Sequence, residues 1–167
     1  MSCVINASST NGLTLTSDLS GQLQFANNGV NLPMGGVAPA FSATSSGGQS
    51  FSNGTFTKVQ INTKVFDTNN NFDSTTNYRF TPTVAGYYQV NSNWFISSVI
   101  NGSAISIYKN GSETFRGFTG SAQYYVGSCL VFLNGSTDYI ELWFFNGNGG
   151  SFSSSGATFQ ACLVRGA

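Results

Sequence analysis

The sequence predicts an all-β sandwich or jelly roll. Short segments of alternating apolar and polar residues are separated by Asn-Gly pairs and by Gly- or Pro-containing corners. Fifteen Phe, seven Tyr and two Trp sit in a chain whose Asn, Ser, Thr and Gly fill 78 of 167 positions. That aromatic load separates it from disordered polar chains, which cannot bury enough apolar surface to offset chain entropy. No segment places apolar residues at helical spacing.

Taken in order, Leu13 and Leu15, then Leu23 and Phe25, alternate with polar residues and read as two short strands joined by a turn at 17–21. A lone hairpin of that size is marginal in water, so it must pack against something. Pro33, Gly35, Gly36 and Pro39 mark a linker, dividing the chain into an arm (1–36) and a domain (37–167). Strands follow at Ala40–Thr44, 57–65 (carrying Val59 and Ile61) and 78–80. After a corner at Pro82 comes a long strand at 87–96. Asn101-Gly102 and Asn110-Gly111 read as hairpin turns around a strand at 104–109, because both central positions of a type I′ turn need positive φ. Further strands are expected at 124–133, at 139–145 after Asn134-Gly135, and at 157–164 after the loop 146–150. Phe41, Phe66, Phe80, Trp94 and Phe132 are expected in the core.

Composition excludes several functions. Charged residues are 7% of the chain, six basic against six acidic, for a formal net charge of zero. There is no basic patch for a nucleic-acid backbone and no apolar run long enough to span a membrane. No signal peptide is visible in MSCVINASST. Without histidine there is no Ser-His-Asp triad, no Cys-His dyad and no HExxH zinc site. Of the six carboxylates, Asp67 and Asp73 flank an Asn-rich stretch. They can be read as a pair across a sugar cleft, as ligands sharing a Ca²⁺ ion, or as turn residues bonding their own backbone, and the turn reading is preferred. Cys3, Cys129 and Cys162 have no CxxC spacing and read as buried or free thiols in a reducing compartment. The expectation is therefore a protein with no catalytic residues, no cofactor and no metal.

The stretch 61–90 carries a family pattern. Asp67 and Phe72, then Phe80, Gly86 and Tyr88, hold spacings that resemble the core of the C1q domain, the trimeric head related to tumour necrosis factor. Ile61, Val90 and Ser92 stand where that pattern has aromatics, and Phe72 to Phe80 is one residue too long. Ala40-Phe41-Ser42-Ala43, AISIYKNG at 104–111, the paired segments 128–135 and 138–144, and ATFQACLV at 157–164 extend the resemblance over 39–164. It implies a ten-strand jelly roll assembling as a homotrimer, with Tyr88, Phe144 and Phe159 lining the three-fold axis. The arm, TNGLTLTSDLSGQLQFANNG, is similar to a segment of phage tail-fibre and other virion proteins. That likeness implies a virion-surface protein docking through Leu13, Leu15, Leu23 and Phe25 onto a major capsid protein or a tail or fibre component. Capsid decoration is the first expectation. A fibre or spike knob binding a host-surface glycan or protein through the loop 146–155 is the second.

Overall fold

The computed structural model describes residues 25–27, 30–32, 38–147, 152–153 and 156–167. The chain divides into two units, Met1–Val37 and Ala38–Ala167. In the first, β1 (Phe25–Asn27) pairs antiparallel with β2 (Val30–Leu32), setting Phe25 opposite Leu32. Leu13, Leu15 and Leu23 lie outside the described residues.

The second unit is all strand. It contains β3 (Ala40–Thr44), β4 (Ser50–Phe51), β5 (Thr55–Lys58), β6 (Thr63–Asp67), β7 (Phe72–Asp73) and β8 (Arg79–Phe80). These are followed by β9 (Ala85–Lys109), β10 (Ser112–Asn134), β11 (Ile140–Asn146), β12 (Phe152–Ser153) and β13 (Gly156–Gly166). Nine of them form one antiparallel network, while β4 pairs with β12 apart from it. The network doubles over because β9 and β10 each run through both layers. In the first layer β6, β3, β13, residues 85–95 of β9 and residues 124–134 of β10 lie side by side. In the second, residues 112–119 of β10 pair with 104–109 of β9, then β11 follows, flanked by β5 and by β8 with β7. This is the jelly roll expected from the sequence.

Alternation explains the layers. Tyr88, Val90, Trp94 and Ile96 on β9, and Phe159 and Ala161 on β13, face inward and are buried, as do Ile105, Ile107, Leu142 and Phe144 from the second layer. Ring contacts knit the two layers together. Phe41 lies 4.6 Å from Phe80, Trp94 lies 4.5 Å from Phe144, and Phe80 lies 5.7 Å from Tyr88. Gly86 opens β9 where the backbone of β13 comes closest. A side chain there would strike the Arg165 carbonyl and stand 2.7 Å from Leu163 Cδ1.

Several expectations are corrected here. Tyr88, Phe144 and Phe159 are each 0% exposed within one chain. They are core residues with no surface left for a neighbouring subunit. Phe66 and Phe132, expected in the core, are 49% and 40% exposed because they fall on the outward positions of their strands. Asn101-Gly102 is not a hairpin turn. It lies within β9, where pairing steps from Ile100↔Ala122 to Ser103↔Gly120 and Gly102 has φ 64°. The segment 112–123, left unassigned by the sequence, is the first half of β10. Residues 59–62, expected within one strand, separate β5 from β6, and Val59 and Ile61 are buried there.

The far edge of the sandwich closes on a glycine pair. A side chain at Gly117 would meet the Val126 carbonyl, and would sit 2.8 Å from Ile105 Cγ2 and 2.9 Å from Gly127 Cα. Gly117→Ala is therefore expected to lower stability by about 1–3 kcal/mol through forced separation of the two halves of β10. Gly166→Ala, where nothing lies within 4 Å, should change little. Urea denaturation of both variants checks the contrast.

Candidate assembly surface

The two outward faces of the sandwich differ in chemistry. On the first layer, Tyr87, Gln89, Asn91, Asn93 and Phe95 of β9 point outward, opposite Phe132, Leu130, Ser128, Val126 and Tyr124 of β10. At one end Phe95 and Tyr124 stand 5.0 Å apart, and at the other Tyr87 and Phe132 stand 5.4 Å apart. Between them runs an uncharged ladder of amides and hydroxyls. Gln89 Nε2 donates to Ser128 Oγ at 2.9 Å, and Ser128 Oγ donates to Asn91 Oδ1 at 2.9 Å. Across β13, Gln160 Nε2 donates to Ser42 Oγ at 3.0 Å, and Phe66 follows Ser42 on the edge strand. Tyr124 is 68% exposed and Leu130 56%. Among the described residues, formal charge reaches only the rims of this face. Lys109 lies 5.7 Å over the Phe132 ring, Arg165 pairs opposite Tyr87, and Lys64 and Asp67 sit on β6.

The second layer's outward face holds ion pairs instead. Arg116 grips Glu113 through Nε at 2.7 Å and through a terminal nitrogen at 2.6 Å, and Ser106 Oγ donates to the same carboxylate at 2.7 Å. Lys58 Nζ meets Glu141 at 2.6 Å, and Trp143 Nε1 donates to Glu141 at 3.0 Å. Tyr108 stacks on Trp143 at 4.6 Å, and Arg116 covers the Phe56 ring at 5.2 Å. This face satisfies its own charges and aromatic surfaces. The first layer's face leaves apolar area uncovered at Tyr124, Val126, Leu130 and Phe132.

The remaining candidates from the sequence are turn and thiol chemistry. Asp67 accepts the Asn71 and Phe72 amides at 3.0 and 2.9 Å, and pairs with Lys64 at 3.3 Å. Asp73 accepts the amides of Thr75, Thr76 and Asn77. Those backbone donors, Thr76 first, hold the Asp73 carboxyl far below the usual carboxylate range. Each carboxylate accepts amides of its own loop, as the turn reading expects, and Asp73 also lines an open pocket with Lys64, Asn71 and Arg79. Among the described residues no group of three or more His, Cys, Asp or Glu side chains is placed to hold a metal. Cys129 and Cys162 are free thiols. Burial pushes Cys129 up to about 11, while Cys162 is exposed on the first layer's face beside Gln89. Of the loop 146–155, residues 148–151 and 154–155 lie outside the described residues.

Asp138 was not singled out by its sequence context, yet it latches two turns together. Lys109 Nζ lies 2.8 Å from Asp138, Asn110 Nδ2 donates to it at 2.7 Å, and the Asn134 amide donates at 3.1 Å. The signal was present in Asn134-Gly135-Ser136-Thr137-Asp138, where Asn134 Oδ1 accepts the amides of Ser136, Thr137 and Asp138. Lys109 first, then Asn110, holds the Asp138 carboxyl below its ordinary value. A depressed carboxylate contributes stability above its unfolded pKa of ~4, and that contribution is lost as pH falls through the folded value. Stability should therefore decline below about pH 4. Asp138→Asn should flatten that decline, as measured by thermal unfolding across the acid range.

No protein-family model matches the chain, and no curated protein matches its sequence. Solved structures do match its fold. PRD1 vertex protein P5 aligns with TM-score 0.61 at 18% identity, covering 78% of this chain and 99% of that one. The globular domain of zebrafish complement 1qA protein aligns with TM-score 0.55 at 18% identity, covering 77% and 99%. Murine APRIL aligns with TM-score 0.51 at 14% identity, covering 75% and 99%. The chain thus has the C1q/TNF-like jelly-roll fold.

Proposed function

We propose that this chain is a non-enzymatic, homotrimeric structural protein of a bacteriophage virion. It displays its jelly roll on the particle surface and docks through the segment 1–36. The observation that carries this reading is the uncharged, aromatic-ended face of the first layer, on a fold similar to a vertex protein of PRD1. A face with exposed Tyr124, Val126, Leu130 and Phe132 and no charge at its centre suits burial against copies of itself, where low charge removes repulsion. Each described carboxylate is engaged in a turn or an ion pair.

Within that role the first reading is capsid decoration, in which trimers bridge neighbouring capsid subunits and add buried area against internal pressure. The arm residues Leu13, Leu15, Leu23 and Phe25 would supply the contact with the major capsid protein. The second reading is a knob that binds a host-surface glycan or protein through the loop 146–155. Mass spectrometry of purified particles tests the shared claim, and absence of the chain from the particle would overturn it. Antibody labelling then separates the two. Label on capsid facets supports decoration. Label at vertices or tail, together with adsorption of purified protein to host cells, supports the knob.

A further inference from the structure

The sequence contains eight Asn-Gly pairs, at 11, 28, 53, 101, 110, 134, 146 and 148. Asn followed by Gly is prone to spontaneous deamidation, because glycine has no side chain to shield its nitrogen. We propose that, among the described Asn-Gly pairs of the domain, Asn101 is the deamidation site, and that the fold protects Asn110, Asn134 and Asn146 from the same reaction. In that step the Gly102 main-chain nitrogen loses its proton to solvent and attacks Asn101 Cγ. The bond between Cγ and Nδ2 of Asn101 breaks, ammonia leaves, and a succinimide ring forms. Water then opens the ring at either carbonyl to give aspartate or isoaspartate. One water enters, one ammonia leaves, and nothing is oxidised or reduced.

The protection is visible residue by residue. Asn110 donates from Nδ2 to Asp138 at 2.7 Å and accepts the Tyr139 amide on Oδ1 at 3.0 Å. Asn134 donates to Thr137 Oγ1 at 2.8 Å while its Oδ1 accepts the amides of Ser136, Thr137 and Asp138. Asn146 is 0% exposed and donates to the Phe51 carbonyl at 2.9 Å. Swinging any of these Cγ atoms onto the next nitrogen breaks bonds that hold a turn or the core together. Asn53 also carries an interaction of its own.

Asn101 differs on each count. It is exposed, and its side chain has no hydrogen-bond partner among the described residues. The register of β9 against β10 skips it and Gly102, so neither has a cross-strand partner there. Gly102 has φ 64°, and nothing stands within 4 Å of the position its Cβ would occupy. The main-chain carbonyls of both residues lie on the side of Gly147, where a Cβ on that glycine would strike them. Conversion would move the chain from a formal net charge of zero to minus one. The new carboxylate would stand where β9 crosses between layers, close to the exposed Val99.

The test is peptide mapping by mass spectrometry after storing the purified full-length protein at mildly alkaline pH and physiological temperature. The denatured protein serves as reference. In the folded protein Asn101 should gain the one-dalton mass shift and isoaspartate at least about tenfold faster than Asn110, Asn134 and Asn146, since each held bond adds to their barrier. In the denatured protein the four rates should converge. Equal rates in the folded protein would overturn the proposal, as would an intact Asn101 in folded protein whose denatured form converts there. Asp138→Ala, checked for folding by circular dichroism, should raise the rate at Asn110 and leave Asn101 unchanged. If that variant fails to fold, the wild-type comparison stands by itself.

Discussion

Phe144→Ala should cost about 3–5 kcal/mol and leave little or no folded protein, because a large buried ring is removed from the centre of the sandwich. Phe144 is fully buried, with Trp94 at 4.5 Å, Tyr125 at 5.0 Å and Phe51 at 5.9 Å around it. The four rings belong to four different strands, β11, β9, β10 and β4. The cavity would therefore sit where several strands meet and cannot collapse by moving one of them alone. Differential scanning calorimetry and urea denaturation measure the loss. This outcome also separates core from interface. A residue on a subunit interface would yield a folded, dissociated protein when truncated, whereas Phe144→Ala should yield an unfolded or strongly destabilised one at any concentration.

Leu130→Asp should do the reverse. Leu130 lies mid-face on the first layer, opposite Gln89 and flanked by Ser128 and Phe132. In an isolated subunit the aspartate would be solvated, and the change in stability should stay within about 0.5 kcal/mol. In an assembly that covers this face, it would bury an unpaired carboxylate among apolar side chains, which costs several kcal/mol per subunit. The expected product is a folded monomer with near wild-type secondary structure. Circular dichroism and size-exclusion chromatography report the two halves of that statement. A native probe stands on the same face. Cys162 should react slowly with a maleimide in the assembled protein and fast in the Leu130→Asp variant, with Cys129 inert in both because its thiol is half-buried and hard to ionise.

The fold was legible because its signals are local. Asn110-Gly111 turns as expected, with φ of 52° and 80°. The alternation across the first half of β13 identifies a strand without reference to anything distant. The jelly roll followed from the order of the strands and from the family spacing around Gly86, whose physical basis is the close passage of the β13 backbone. What was not legible depends on parity and long-range pairing. Tyr87 and Tyr88 are adjacent and chemically alike, and only the register decides that Tyr88 is buried while Tyr87 is 46% exposed. The same one-residue ambiguity sent Phe66 and Phe132 to the core in the sequence reading. Asn101-Gly102 reads as a turn because both positions tolerate positive φ, yet only Gly102 adopts it, at 64°. Here it bends a continuous strand from one layer to the other, with the irregular pairing around Gly120 on β10 accommodating the bend.

The candidate assembly surface was hidden for a related reason. An uncharged face has no motif, and Gln89, Asn91, Ser128 and Gln160 become a ladder only when three strands align them. The Asp67 and Asp73 turns, in contrast, were readable from Asx chemistry alone.

The claim on which the functional reading depends is that the first layer's face is buried between copies of the protein. The molar mass of the purified full-length protein, by multi-angle light scattering at micromolar concentration, tests it most directly. A mass three times the 17.7 kDa of one subunit is the expected result. A stable species at 17.7 kDa would contradict it.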